Sequence, residues 1–261
     1  KDNLDNWCVE FGARDGISDS NTFNLINNHN YKAVLIEGDK NYHKKLCQNF
    51  KDEKIIKINK YVNFFGENKL DNILLDTDIK KNFDFLSIDI DGCDYYIFQS
   101  LELYRPKIIC IEFNHLIPNS VNFVQEKNFQ IKQGSSARSL VELANSKNYQ
   151  LVATSFSNLF FIDKFYSHTV IDSEILIDDL IDDSEIKNFI FPGYDGTLHT
   201  TKPVKLGWHK LDIKNEKIQI LPSYLRNFPD DYNIFQKIFF LIFREFFNPG
   251  RFLKKIFKRL K

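Results

Sequence analysis

The most constraining feature of the sequence is a pair of predicted strands joined by a very short link. The runs Gln150–Ser155 and Leu159–Asp163 are rich in aliphatic and aromatic residues, and only residues 156–158 separate them. A crossover between parallel strands needs a dozen or more residues, so these two strands must pair antiparallel. Any sheet that contains them therefore ends in an antiparallel hairpin.

The chain before this hairpin alternates short apolar runs with helical stretches, which is typical of a parallel, doubly wound sheet. The predicted strands are Trp7–Phe11, Lys32–Glu37, Ile55–Ile58, Phe83–Asp89 and Lys107–Glu112. The predicted helices are Thr22–Asn28, Tyr42–Phe50, Lys69–Leu75, Tyr95–Leu101 and Ser139–Ser146. A mostly parallel sheet with a terminal antiparallel hairpin is the α/β, Rossmann-like topology of class I methyltransferases that use S-adenosylmethionine (SAM). A plain dinucleotide-binding sheet ends differently.

Composition limits the cellular compartment and the class of partner that we expect for this protein. Lys+Arg and Asp+Glu are balanced at 35 each, so no overall electrostatic field favours nucleic acid. The four cysteines lack metal-type spacing, and three lie in or beside apolar runs, which favours a reducing compartment. No leader is visible, and no apolar run reaches the roughly 18–20 residues of a membrane span. We therefore expect a cytoplasmic protein with no nucleic-acid partner.

The pattern changes after Asp163. Residues 170–190 predict an acidic amphipathic helix, and Ile218–Leu221 predicts a short strand. We expect three parts: a SAM-binding methyltransferase domain over 1–165, an accessory extension over 166–231 that packs on or covers it, and a basic, Phe-rich helical tail over 232–261.

The tail carries a strong local charge. Residues 232–261 contain eight Lys or Arg and one acid, Glu245. Within Arg251–Lys261, apolar residues at helical spacing predict a basic amphipathic helix, which suits an anionic membrane surface. The expected location is therefore cytoplasmic with peripheral placement at the inner face of a membrane. Packing on the domain or on a second subunit is the alternative.

A glycine-containing loop follows the first predicted strand directly. Its GxxxG spacing allows a tight turn and a close backbone approach, but it is not the GxGxxG pattern that cradles a pyrophosphate. SAM has no phosphate, so this spacing suits SAM better than a dinucleotide, although an ordinary strand-to-helix turn is the alternative. The expected cofactor-binding residues of the loop are Glu10, Gly12, Ala13, Asp15 and Gly16.

A further acid, Glu37, ends the second predicted strand, 27 residues after Glu10. An acid at this position can accept hydrogen bonds from both ribose hydroxyls, and the spacing suits a βαβ unit. A solvated acid in a turn is the alternative. We also assign Asn63, after the third predicted strand, to the cofactor-binding set.

Polar side chains follow the fourth and fifth predicted strands. Asp89 and Asp91 follow one strand, and Glu112 and Asn114 follow the other. Asp89 alternates with apolar residues, so its burial is costly unless the carboxylate has a partner. Three partners stay open: the SAM ammonium group, a substrate hydroxyl or a divalent cation. Asp89, Glu112 and Asn114 form an all-oxygen set that suits Mg²⁺, and carboxylates that cap turns are the alternative.

One histidine, His115, follows the fifth predicted strand at this edge. A neutral imidazole could take a proton from a hydroxyl, whereas a surface or capping role is the alternative. The candidate catalytic residues are Asp89, Asp91 and His115.

Several runs form a wider pattern between about Trp7 and Asp163. They are Glu10–Gly16 with Ser20–Thr22, Ile36–Asp39, Asp84–Tyr96, Arg105–Pro106, Ile111–Asn114, Ile117–Pro118, Gly134–Ser136, Ser139–Leu140 and Asn148–Val152. Together these runs resemble the FkbM-like family of SAM-dependent methyltransferases. Arg14 departs from the pattern, because similar sequences often carry Asn there.

The resemblance implies SAM as cofactor and O-methylation, typically of sugars or of hydroxyls on polyketide-like compounds, often in surface-glycan assembly. It places Gly12, Asp15, Gly16 and Glu37 on the cofactor, and Asp89, Asp91, Glu112 and Asn114 at the reaction centre. We therefore expect a SAM-dependent O-methyltransferase. The rival hypotheses are a non-catalytic SAM-fold binding module and an NAD-type oxidoreductase, which the missing GxGxxG disfavours.

Overall fold

The computed structural model describes residues 4–168, 170 and 173–247. The chain divides into two compact units, Lys1–Ile186 and Lys187–Lys261. The finer divisions expected at 165/166 and 231/232 stay predictions. The basic amphipathic helix predicted within 251–261 lies outside the described residues.

Seven strands form the sheet of the first unit. They are β1 (Trp7–Phe11), β2 (Lys32–Ile36), β3 (Ile55–Ile58), β4 (Phe85–Ile88), β5 (Ile108–Glu112), β6 (Tyr149–Thr154) and β7 (Asn158–Asp163). Their order across the sheet is β3-β2-β1-β4-β5-β7-β6. The first five strands are parallel to their neighbours, whereas β7 pairs antiparallel with both β5 and β6. The predicted fold class and its terminal hairpin are confirmed.

The helices of the first unit follow the predicted alternation. They are α1 (Phe23–His29), α2 (Lys40–Asn49), α3 (Leu70–Leu75), α4 (Asp94–Ser100), α5 (Ala137–Ser146), α6 (Lys164–Ser167) and α7 (Ile177–Leu180). Side-chain oxygens cap three of these helices: Asp39 accepts the first backbone N–H groups of α2, Ser136 accepts the N–H of Ser139 in α5, and Asp163 accepts the N–H of Phe165 in α6. These caps fix where the chain leaves its loops and begins each helix.

Two hydrophobic cores lie on opposite faces of the sheet. Along β2, Val34 and Ile36 belong to one core, and Ala33 and Leu35 belong to the other. Successive side chains of a strand point to opposite faces, so a strand covered on both sides must be apolar at every position. This explains why the central strands appear in the sequence as continuous apolar runs.

The acidic helix predicted over 170–190 is wrong in its extent. Among the described residues of that stretch, only Ile177–Leu180 is helical. The side-chain amide of Asn119 donates to Asp178 and to the backbone oxygen of Ile181, and the backbone N–H of Asn119 donates to Asp183. Polar groups of this segment therefore bond to another part of the unit instead of extending one helix.

The second unit contains two small antiparallel pairs and one long helix. These elements are β8 (Ile190–Pro192), β9 (Leu198–Thr200), β10 (Val204–Leu206), β11 (Leu211–Ile213) and α8 (Ile234–Phe247). The strand predicted over 218–221 is wrong, since all four residues are described and none is in a strand. There the amide of Gln219 bonds to the backbone of Leu198 and Asn215. No described helix has the length and apolarity needed to cross a bilayer.

A buried ion pair holds the edge of the sheet where β4 and β5 begin. Lys107 and Asp84 are 6% and 2% exposed, and the ammonium group donates to the carboxylate. Asp84 also accepts the backbone N–H groups of Asp5 and Asn6. One carboxylate thus joins the start of the chain to two central strands.

Loss of one member of this pair should destabilise the unit strongly. Lys107→Ala leaves Asp84 buried without its cation, and we expect it to lower the free energy of unfolding by about 3–5 kcal/mol. The matched control is Lys69→Ala, which removes an exposed pair with Glu102 and should cost less than about 1 kcal/mol. Urea unfolding of both variants measures the difference, and equal losses would contradict the assignment.

Candidate functional site

The loop after β1 presses directly against the end of β4. Gly12 has φ +73°, and a Cβ there would lie 2.1 Å from the backbone oxygen of Asp89. Only glycine allows this approach, because any side chain would overlap the carbonyl group. The predicted glycine loop and the predicted carboxylate site are therefore adjacent.

Glu37 stands at the end of β2 and fixes the same loop. It is 7% exposed, and its carboxylate accepts the backbone N–H groups of Arg14 and Asp39, each at 2.7 Å. The Arg14 guanidinium turns elsewhere, to Asp19 at 3.2 Å and over the ring of Tyr42. The backbone N–H of Arg14 thus holds the Glu37 carboxylate, whereas the Arg14 side chain provides no cationic partner for that carboxylate.

Glu10 lies behind the loop, 4% exposed. Its carboxylate accepts the hydroxyls of Ser20 and Thr22 at 2.6 Å and the backbone N–H of Asn21 at 2.8 Å. Burial raises the pKa of Glu10, and these hydrogen bonds oppose that shift. In this structure Glu10 fastens the turn before α1.

The other predicted cofactor residues shape the surrounding turns. Ala13 is buried and donates its N–H to the backbone oxygen of Ile36. Asp15 accepts backbone N–H groups of residues 17 and 18, which lower its pKa. Asn63 accepts the N–H of Phe64 in the loop after β3. A direct contact of these residues with a cofactor stays a prediction.

An aromatic ring that we did not assign from the sequence lies beside Glu37. A Cβ on Gly38 would stand 2.2 Å from the ring of Tyr61, so the ring lies flat against that backbone. Tyr61 is 69% exposed. The only sequence signal was an aromatic residue shortly after the third strand.

Three carboxylates meet where β4 and β5 end. Oxygen atoms of Asp89, Asp91 and Glu112 all lie within 4.8 Å of one another. Burial, followed by repulsion from neighbouring acids, raises the pKa of Asp89 to about 7 and that of Glu112 to about 8. The ammonium group of exposed Lys132 lies 3.4 Å from the Asp91 carboxylate. The cluster therefore keeps a proton near neutral pH and favours a cationic ligand.

A fourth acid, Asp94, organises this cluster. It is 3% exposed at the start of α4 and accepts the backbone N–H groups of Ile90 and Gly92, both at 2.8 Å. Burial raises its pKa to about 6. These bonds hold the turn in which Asp91 adopts a left-handed conformation, φ +57°. Asp94 was not among the site residues predicted from the sequence, because an acid at the start of a helix has no distinctive pattern.

Asn114 and His115 occupy the same edge in other roles. The Asn114 amide donates to the backbone oxygen of Gln133 at 2.8 Å and accepts the N–H of Leu116 at 2.9 Å. The structure thus brings Asp91 together with Asp89 and Glu112, and a role of Asn114 as a metal ligand stays a prediction. His115 packs on the ring of Phe156, and burial lowers its pKa, which keeps the imidazole neutral at pH 7.

A buried glutamine builds the wall next to the cluster. Gln125 is 1% exposed; its amide donates to the backbone oxygen of Ile131 and accepts the N–H groups of Gln133 and Gly134. The hydroxyl of Tyr96 in α4 donates to its backbone oxygen. No sequence signal pointed to Gln125, because a lone Gln in a loop matches no motif.

The carboxylate cluster falls within a stretch that a family model matches. Residues 66–151 match the methyltransferase FkbM domain. The predicted resemblance to FkbM-like methyltransferases is confirmed over this third of the chain. The match includes Asp89, Asp91 and Glu112, whereas Gly12 and Glu37 precede it.

Solved structures of methyltransferases are also similar to this chain, and no curated protein matches it in sequence. The citrinin polyketide synthase CMeT domain is 10% identical, with TM-score 0.38, over 60% of this chain and 45% of that one. TrmK from M. capricolum is 14% identical, with TM-score 0.34, over 60% of each chain. The O-methyltransferase from Bacillus cereus is 17% identical, with TM-score 0.37, over 60% and 72%. The chain thus spans about half the length of the first of these structures and 60% of the second.

The contact of Gly12 with Asp89 gives a prediction about stability. Gly12→Ala should destabilise the unit more than Gly66→Ala, because both glycines have positive φ but a Cβ on Gly66 meets no atom within 4 Å. We expect about 1–2 kcal/mol of conformational strain for Gly66→Ala, and a larger loss for Gly12→Ala, where the backbone must move. Urea unfolding compares the two, and equal losses would refute the close contact.

The raised pKa values of Asp89 and Glu112 predict how stability depends on pH. The ordinary pKa values of these carboxyl groups are 3.8 and 4.5, so the folded chain keeps protons that the unfolded chain has lost. The pair's contribution is therefore fully present below about pH 4 and is lost as pH rises through about 7 to 8. In buffer with EDTA, the Asp89→Asn/Glu112→Gln double variant should lose less stability than the parent between pH 5 and pH 9. Urea unfolding of both chains at each pH measures the free energy of unfolding that is compared.

The control for this experiment is Glu67→Gln, which changes an exposed carboxylate outside the cluster. Its pH profile should follow that of the parent chain. A double variant whose profile also followed the parent would show that the pair titrates normally.

Proposed function

We propose that this chain is a SAM-dependent O-methyltransferase that acts on a hydroxyl group of a sugar, a surface glycan or a related small molecule. The observation that carries the proposal is the meeting of two features at one sheet edge. Glu37 and the Gly12 loop form a nucleoside-type site, and the cluster of Asp89, Asp91 and Glu112 lies against that loop.

The residues at this edge fit SAM chemically. Glu37 is held by two N–H groups, and a carboxylate has about four acceptor sites, so it retains capacity for ribose hydroxyls. The exposed ring of Tyr61 offers a flat surface for an adenine base. The acidic cluster suits the positive charge of the ammonium and sulfonium groups.

Methyl transfer to a hydroxyl group requires correct placement of the two reactants and removal of one proton from the hydroxyl. SAM supplies an electrophilic methyl group. On the protein side, Asp89 in its ionised form accepts the proton of the acceptor hydroxyl, and Glu112 shares that proton because their pKa values are close. Asp94 and Gln125 hold the two loops that frame this position, which limits motion of the reacting groups. Asp91 and His115 are further candidates for orienting the acceptor.

A divalent cation is a second candidate ligand of the same carboxylates. The three oxygen donors are of the type that Mg²⁺ prefers, and a cation there would lower the pKa values of the cluster. We propose Asp89, Asp91 and Glu112 as the residues that would hold it, and Asn114, predicted from the sequence with Asp89 and Glu112, as a further ligand. Peripheral placement at the inner face of a membrane, through residues 232–261, completes the proposal.

Calorimetric titration tests cofactor binding. The chain should bind SAM and S-adenosylhomocysteine but not NAD, and Glu37→Ala should weaken SAM binding by at least about tenfold, because one ribose-binding carboxylate is lost. The matched control is Glu53→Ala, an exposed acid in the loop before β3. Binding of NAD in preference to SAM would overturn the proposal.

Asp89→Asn separates binding from chemistry. It should retain S-adenosylhomocysteine binding and lose methyl transfer to a hydroxyl acceptor by about 10²–10⁴-fold, the usual contribution of a positioned base. Full activity of this variant would exclude Asp89 as the proton acceptor. Binding without turnover in the parent chain, over a panel of sugar acceptors, would favour the non-catalytic binding module.

A further inference from the structure

The long helix of the second unit presents an unusual surface. Helix α8 is strongly apolar on the side that does not face its own unit. Seven exposed apolar residues fall within an arc of about 160° at 3.6 residues per turn. They are Ile234, Phe235, Ile238, Phe239, Leu241, Ile242 and Phe246.

The other side of α8 is fixed within the second unit. Gln236 is 7% exposed, and its amide donates to the backbone oxygen of Tyr224 at 2.9 Å. The ring of Phe240 packs edge-on against Tyr232, whose hydroxyl donates to the backbone oxygen of Leu225. The orientation of the helix is therefore set by specific bonds, and the apolar arc is the side that these bonds leave outward.

The size of this arc distinguishes it from ordinary surface hydrophobics. Phe235 is 77% exposed and Phe246 is 86% exposed. Scattered apolar side chains on a surface need no explanation, but a contiguous patch of this kind marks an interaction site. A helix with one apolar side and a charged border is the form in which a helix lies in the plane of a membrane.

Charge identifies the partner. Lys237 and Arg244 lie on one border of the arc, Arg244 pairs with Glu245, which falls within the arc, and the sequence after Phe247 adds six Lys or Arg and no acid. Anionic lipid headgroups attract basic segments next to an inserted apolar surface. A neutral protein groove would gain nothing from this concentration of positive charge.

The geometry points to α8 as an in-plane anchor that binds an anionic lipid bilayer through its apolar arc, with Lys237 and Arg244 at the headgroups. This inference names the side of the helix, the inserted side chains and the lipid charge. It rests on the proposed placement of residues 232–261 at a membrane but not on methyl transfer, so its failure would leave the proposed activity in place.

Vesicle sedimentation of the full chain tests the anchor. The parent chain should bind vesicles that contain phosphatidylglycerol at least about tenfold more strongly than pure phosphatidylcholine vesicles, and added salt should weaken that binding. Phe235→Asp/Ile242→Asp should reduce binding by at least about tenfold, because two inserted side chains become charged. The matched control is Trp208→Asp, an 82% exposed aromatic of the same unit outside α8, which should bind as the parent does.

Other outcomes would overturn the inference. Unchanged binding of the double variant, with the fold verified by circular dichroism, would exclude the arc as the contact. Equal binding to neutral and anionic vesicles would exclude the role of charge. A parent chain that ignores vesicles and is dimeric, with a monomeric double variant, would assign the arc to a second copy of the chain.

Discussion

The candidate site depends on one close backbone contact, that of Gly12 with the carbonyl group of Asp89. It brings the loop after β1 against the end of β4, so that two strands contribute to one site. Glu37 then holds the loop from the side of β2, and Asp94 holds the turn from the side of α4. Glu37 and Asp94 each accept backbone N–H groups, and these hydrogen bonds hold the loops without a cationic side chain.

The acidic residues at this edge have two different roles because their surroundings differ. Glu10 and Asp94 are buried and accept several hydrogen bonds, so they support the backbone. Asp89 and Glu112 are less deeply buried and lie beside each other, so burial and the neighbouring acids raise the pKa of both carboxyl groups. Raised carboxyl pKa values of this kind can serve a ligand with positive charge or a proton in transfer.

The sheet could be predicted from the sequence because both features that determine it are local in the chain. The three-residue link before Leu159 excluded a crossover, and the apolar runs of β1, β2, β4 and β5 marked strands covered on both faces. The expected helix over 170–190 failed for the opposite reason. Charge and periodicity describe one segment, whereas Asn119, about sixty residues earlier in the chain, provides bonds that end the helix after one turn.

The sequence by itself determined three features: a mostly parallel sheet with a terminal antiparallel hairpin, the glycine that the loop requires, and the carboxylates that end β4 and β5. Spacing and residue chemistry express these features directly. Only the tertiary structure decided which side chains meet. It turned the Arg14 guanidinium away from Glu37, committed the Asn114 amide to a loop, placed Tyr61 over Gly38 and left one side of α8 outward. These outcomes depend on distances between residues far apart in the chain, and no local pattern of residues encodes such distances.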